Sequence, residues 1–407
     1  MPDVPDVVHA LPGGLVLRQA APADLGQIGE LLARRGEPED ALDHRLVVED
    51  PDEGYRSSAV VVDGDRVVST ATLLDETVHV GSVALPAGQV ELVATDRAYE
   101  GRGLVRALMG WAHAESARRG HVVQVMVGIP YFYRLFGYEY AIAQPHPRRL
   151  TAVPGGGAGD VVRPAQPADV PALARLQAAA QQVADVRVPH PTARLRWLTV
   201  HDATTTLVVE RAGRLVGSGR ITPGSGLVAE ATAHDAGAVG DLFAAVAAQA
   251  GSGRVGVVER PGTVVHEVCE PLMEPAAPQA EHFYVRVPDA AAVLDALRPV
   301  LSARLAASGL ERAGTEVLLS TYRRHFRMPV TGDGVGPVTA GGVLQGPVDA
   351  GGAGCAPDWL PSLLFGPLGI AGLERLRPDV RAGADAELYT ALFPPLSSDV
   401  LSYYLPY

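Results

Sequence analysis

An internal repeat constrains this chain more than any other feature. The string VLRQAAPADL at residues 16–25 is echoed by VVRPAQPADV at residues 161–170, so that Arg18 answers Arg163 and Asp24 answers Asp169. Each copy reads as a short apolar strand followed by a Pro-Ala-Asp turn that opens a helix. An aspartate suits the free N–H groups and the dipole of a helix N-terminus. Apolar residues then recur at helical spacing, Leu25, Ile28, Leu31 and Leu32 in the first copy and Val170, Leu173 and Leu176 in the second. Both copies run on into a hairpin, residues 59–68 around Asp63 and Gly64, and residues 206–216 around Gly213. Two domains of one fold in tandem are therefore expected, joined by the glycine-rich stretch at 154–159.

A third region, from near Glu281, does not share the repeat. It offers a strand at 283–287 and an amphipathic helix carrying Leu294, Leu297, Leu301 and Leu305. Pro299 falls inside that helical pattern and should kink the helix or delay its start. The length of 407 residues itself calls for two to three domains. The reading is an α+β (mixed α/β) chain with boundaries at 1–152, 160–280 and 281–407.

Composition excludes several classes. The chain is 47% hydrophobic and 20% charged, values of a folded globular protein. No apolar run reaches the length of a membrane span, so no membrane partner is expected. The N-terminal stretch lacks the basic and apolar regions of a secretory signal, and a cytoplasmic location is expected. A net charge of −12 argues against nucleic acid as a partner. There is no lysine, so all 34 basic residues are arginine and lysine-based catalysis is ruled out. Cys269 and Cys355 stand far apart and form neither a disulfide framework nor a zinc pattern; they read as small buried hydrophobes. The histidines are scattered, no paired metal-ligand spacing or HExxH appears, and no metal is expected.

Two segments carry chemistry. The first, QVELVAT at 89–95 followed by DRAYEGRGLVRALM at 96–109, reads as strand, short glycine turn and a helix that can run to about Arg119 before stopping at Gly120. Such a turn is an anion cradle: glycine lets the backbone approach closely, and helix N–H groups face a phosphate. The Walker pattern is absent and the turn is too short for a dinucleotide loop. The same letters also describe an ordinary turn whose glycines cap the helix. Strand alternation puts Glu91, Val93 and Thr95 on one face, which makes Glu91 either a candidate base or a paired strand glutamate. The second segment is a strand at 123–127 and then GIPYFYRLFGYEY at 128–140. By spacing alone, Tyr133 reads equally well as an aromatic core residue with a satisfied hydroxyl.

Together the two segments resemble the GNAT acetyltransferase superfamily. Its pyrophosphate motif, [RQ]-x-x-G-x-[GA], falls on Glu100, Gly103 and Val105, matching at the central glycine and departing at both ends. The three-region layout further resembles the enhanced intracellular survival (Eis) type. That resemblance implies two tandem GNAT domains, the second degenerate, and a C-terminal sterol-carrier-like domain. It implies an acetyl-CoA-dependent N-acyltransferase acting on an amine of a small, cationic molecule or on a lysine side chain, with acetyl-CoA as co-substrate and a homo-oligomer, up to a hexamer. The rival reading is a non-catalytic CoA- or lipid-binding module. By the same resemblance, Tyr133 is the general acid and the C-terminal carboxylate of Tyr407 the first-choice base, with Glu91 the alternative. The CoA site maps to Val93, Ala94, Thr95, Gly101, Arg102, Gly103, Leu104, Val105, Arg106, Gly128 and Ile129. Relatives often have serine where this chain has Gly128. The GxGxxG match at 251–256 sits between a helix and a strand, the reverse of a dinucleotide site. In the second copy the cradle's place is held by ATAHDAG at 231–237, without arginines.

Overall fold

The computed structural model describes residues 9–251, 253–276 and 282–401. The chain is mixed α/β and is built on three sheets. In the first, β1 (His9–Ala10), β2 (Val16–Gln19), β3 (Ser58–Asp63), β4 (Arg66–Val80), β5 (Val83–Thr95) and β6 (Val123–Met126) lie side by side in that order. Pairing is antiparallel as far as β5, and β6 runs parallel to it. Helices α1 (Leu25–Arg35) and α2 (Asp40–Glu49) cover one face, and α3 (Leu104–Arg118) covers the other. That is why β3 is apolar almost throughout rather than alternating: Val60 and Val62 pack towards α1, Ala59 and Val61 towards α3.

The strand His282–Arg286, expected to open a separate C-terminal domain, instead completes this first sheet. It lies between β6 and β7 (Glu139–Ala143), antiparallel to both, with Tyr284 opposite Met126 on one side and Tyr140 on the other. The converse holds for Pro147–Arg149, expected inside the first domain. It pairs with Gly256–Val258 at the edge of the second sheet, which continues through Leu227–Val228, Arg214–Ile221 and Thr205–Arg211 to Val161–Pro164. The sequence boundaries at 152 and 281 thus cut across two hydrogen-bonded sheets. Local patterning predicts strands, but the partner of an edge is chosen by whichever unpaired ladder lies nearest in space.

The third sheet centres on His325–Thr331, Glu316–Ser320 and Ala353–Cys355. It shares one core with the first: Val78, Val80, Leu85, Val123, Val125, Phe283 and Val285 cluster with Leu294, Leu301, Val317, Phe326, Leu363, Phe365 and Tyr389. Val186–Val188 adds to the outer end of β4 and is flanked in turn by Ser398–Val400, parallel to it. Two distant parts of the chain therefore extend the sheet beyond the outer end of β4.

The repeat is exact enough to show in side-chain contacts. Arg18 clamps Asp24 with two N–H groups at 2.6 and 2.8 Å, and Arg163 clamps Asp169 at 2.7 and 3.0 Å. Each aspartate also accepts the N–H three residues before it, from Ala21 and Gln166, both at 2.8 Å. The aspartate closes the turn that feeds the helix. The expected helix near 294–305 is two helices, Ala290–Ala296 and Arg298–Ser308, with Pro299 in the first turn of the second, where a missing N–H does no harm. Both cysteines are buried and free. His121 bonds Ser116 and faces Asp75, while His325 bonds the Gly342 carbonyl.

Phe283 is fully buried in the shared core. Phe283→Ala should lower unfolding free energy by about 3–5 kcal/mol. A urea titration followed by circular dichroism reads it, and because the residue belongs to the first sheet as much as to the C-terminal region, both should lose structure in one transition.

Candidate functional site: an open fork in the first sheet

The ladder between β5 and β6 holds only from Ala87/Val123 to Gln89/Val125. Beyond that the strands part. Opposite, on β4, Thr72 pairs with Glu91 but Thr70 pairs with Ala94, so Leu92 and Val93 together face the single residue Ala71. This is a β-bulge, and Leu92 takes a positive φ of 51° within it. The extra residue overturns the expected alternation. Val93 and Thr95 lie on the α3 side, where Val93 joins the cluster around Leu104 and Leu108 and Thr95 bonds Ser69 at 2.6 Å. Glu91 lies with Ala94 on the opposite face, towards α1 and α2. A bulge leaves no signature in hydrophobic periodicity, so sequence alternation could not anticipate the change of face.

Glu91 sits where the fork opens. Its Oε1 accepts from the Gln89 side chain at 2.6 Å and from the Val127 N–H, just past β6, at 3.4 Å. The carboxyl is buried, and that desolvation pushes its pKa up to about 8 despite the hydrogen bonds that oppose the shift. Tyr133 is its electrostatic neighbour. Burial and the Glu91 charge both raise the phenol well above its ordinary value, so it keeps its proton. Among the described residues no group hydrogen-bonds the Tyr133 hydroxyl.

Tyr133 belongs to a short 3-10 turn, Phe132–Phe136, entered through Tyr131 at a positive φ of 70° and left through Gly137 at 85°. Its ring is wedged among aromatic neighbours: Phe132 edge-on at 5.1 Å, Tyr284 at 6.1 Å and Tyr138 at 6.4 Å between centroids. Tyr138 is fully buried and shares a hydrogen bond of 3.2 Å with His113 on α3. Tyr284 stacks on Tyr140 at 4.1 Å, and its hydroxyl donates to the Ile129 carbonyl at 3.3 Å. The sequence reading missed Tyr284 as a site residue, because its strand's place in the first sheet carries no local signal. Gly128 explains itself here: a Cβ at this position would stand 2.4 Å from the Tyr133 ring. Ile129 is largely exposed, next to this turn rather than in it.

The cradle lies on the other side of the fork. Asp96 follows β5 and accepts the Ala98 N–H at 3.0 Å, closing a single turn, Arg97–Tyr99. Gly101 and Gly103 take φ of 75° and 78°, and a Cβ at either would meet open space. Backbone conformation, not crowding, calls for glycine there. Helix α3 begins at Leu104, so the first-turn N–H groups of Leu104, Val105 and Arg106 have no intrahelical acceptor. Arg102 lies over Tyr99 at 4.6 Å and Arg106 over Phe136 at 5.4 Å, linking cradle to tyrosine turn. In the second sheet's counterpart, the helix Ala236–Gln249 is capped by its own Asp235, which is paired with Arg211. An anion already occupies that N-terminus.

Of the sequence-predicted residues, the fork brings together Glu91, Val93, Ala94, Thr95, Gly128 and Tyr133, with the cradle of Gly101, Arg102, Gly103, Leu104, Val105 and Arg106 beside them. Tyr407 lies outside the described residues. Among those described, no group of three or more His, Cys, Asp or Glu residues is placed to hold a metal ion, and no helix is long and apolar enough to cross a membrane.

A family model described as an acetyltransferase (GNAT) domain matches residues 28–141, the segment that holds the fork and the cradle. The whole chain has the fold of several solved structures. A GCN5-related N-acetyltransferase from Kribbella flavida is 21% identical, with 96% of this chain and 100% of that one covered and a TM-score of 0.67. One from Anabaena variabilis is 15% identical, covering 95% and 99%, with a TM-score of 0.69. Eis1 from Mycobacterium abscessus is 16% identical, covering 94% and 98%, with a TM-score of 0.60. No curated protein sequence matches the chain.

Gly128→Ala should displace the Tyr133 ring. Overpacking of this kind costs about 1–3 kcal/mol, read as a lower midpoint in denaturant, and near-ultraviolet circular dichroism should report the altered aromatic packing.

Proposed function

We propose that the chain is an N-acyltransferase that moves an acetyl or short acyl group from CoA to an amine. The observation that carries this reading is a buried Glu91 carboxyl whose charge acts on the Tyr133 phenol at the fork, beside a glycine cradle suited to a pyrophosphate. Acyl transfer needs a neutral amine, a polarised thioester and a protonated leaving thiolate. The open edge of β5 past Gln89 offers backbone N–H groups to the acyl carbonyl. Glu91 takes the proton from the attacking amine. The C–N bond forms, the C–S bond breaks, and Tyr133 gives its proton to the departing sulfur. A phenol whose pKa lies above that of a thiol is a competent donor that is not lost to ionisation at working pH.

The face carrying Glu91 supports a cationic acceptor. Asp40, Asp43 and Glu76 are buried on the same side, and Glu76 has one oxygen on Arg194 and another, Oε2, with no partner among the described residues. Burial raises Glu76 to about 7. An ammonium group would satisfy that oxygen and lower the cost of its charge.

The Tyr407 carboxylate is the second candidate base.

Purified protein should release free thiol from acetyl-CoA in the presence of a panel of polyamines and aminoglycosides. No release with any amine would defeat the proposal. Tyr133→Phe should cut kcat about 10²- to 10⁴-fold with little change in CoA affinity, whereas collapse of that affinity would make Tyr133 structural. Glu91→Gln should cost a similar factor, and a residue appended after Tyr407 should cost little; the reverse pattern assigns the base to Tyr407. With Glu91 as base, the rate at saturating CoA should rise with pH through a limb near 8 that is absent in Glu91→Gln. Linkage runs the other way for folding. The native carboxyl holds its proton from about 4.5 to about 8, so native protein loses stability relative to Glu91→Gln as pH rises through that window.

A further inference from the structure

The cradle contains an anomaly: Glu100, a carboxylate immediately before the glycines that would approach a phosphate. Alone, its charge would repel the ligand the loop is shaped to hold. It is not alone. Arg35, in the last turn of α1, places a guanidinium N–H 2.5 Å from Glu100 Oε1. The neighbouring residue, Arg34, shares Asp96 with Arg66, whose contact is 2.6 Å against 3.8 Å for Arg34. Both acidic groups of the loop are thus met by arginines from outside it. Arg102 and Arg106 add further positive charge at the cradle itself, over Tyr99 and Phe136.

We infer that Arg35 is a positioning residue for the CoA pyrophosphate, acting by neutralising Glu100 and tying its carboxylate towards α1. This deepens the acyltransferase reading and rests on it. As a contribution to folding the pair is minor, because Glu100 is 53% exposed at its side chain and partly exposed ion pairs give little. Its value lies in what is left when one partner goes. Removing Arg35 leaves an uncompensated carboxylate beside a multiply charged anion, whereas removing both partners leaves none. The cation that GNAT motifs place in the loop is here supplied from a helix on another element.

The test is a double-mutant cycle on ligand affinity, by calorimetry, with CoA and with acetyl-pantetheine, which lacks the pyrophosphate. Arg35→Ala should raise the Kd for CoA by roughly tenfold, the scale of one uncompensated charge near a partly exposed site. Glu100→Gln should leave the Kd unchanged or lower it. The double variant should return to within about threefold of Glu100→Gln, since the coupled pair is removed together. Acetyl-pantetheine affinity should not move in any variant. If the double variant binds CoA as poorly as Arg35→Ala, Arg35 touches the phosphates directly and the neutralising role is overturned. Equal losses for both ligands would make Arg35 a folding residue and overturn it as well. Failure of the unaltered protein to bind CoA would instead reject the acyltransferase reading itself.

Discussion

The site depends on one event in the first sheet, the loss of a partner by β5 after Gln89. While paired, β5 is an interior strand with both edges satisfied. Once β6 turns away, one edge of β5 is open and a cleft forms. An open edge inside a protein is costly unless something meets it. In this molecule Glu91 reaches across to the Val127 N–H, and the bulge at Leu92 and Val93 re-aims the strand. The turn after β6 carries Tyr133 near enough to the fork for the Glu91 charge to act on its phenol.

What props the fork open comes from far away in the chain. The strand His282–Arg286 holds β6 on its other side, and Tyr284 from that strand supports the tyrosine turn. The C-terminal region then packs its core directly against the same end of the sheet. The cleft is therefore a product of the whole chain. The segment 28–141 supplies Glu91, Tyr133 and the glycine turn, and the later regions fix their geometry.

The two faces of β5 divide the work. Thr95 and Val93 face α3, on the side of the cradle, and Glu91 faces α2 and its buried carboxylates. One bulged residue separates the two faces. Burial then sets the protonation of each partner: a carboxyl raised to about 8 is poised to exchange a proton near neutral pH, and a phenol raised further is not ionised.

The sequence alone determined the parts that depend on near neighbours. The repeated Pro-Ala-Asp turns and the strand–glycine-turn–helix order at 89–118 are encoded within short stretches, and both form as read. Asp24 and Asp169 even keep identical partners. Tertiary structure decided what depends on pairing. The face of Glu91 turned on a bulge, the ownership of Pro147–Arg149 and His282–Arg286 turned on which open ladder each could reach, and the neutralisation of Glu100 turned on a helix sixty-odd residues earlier. Local propensity is written residue by residue, but a strand edge, a buried carboxyl and a lone charge each take their character from whatever the folded chain brings beside them.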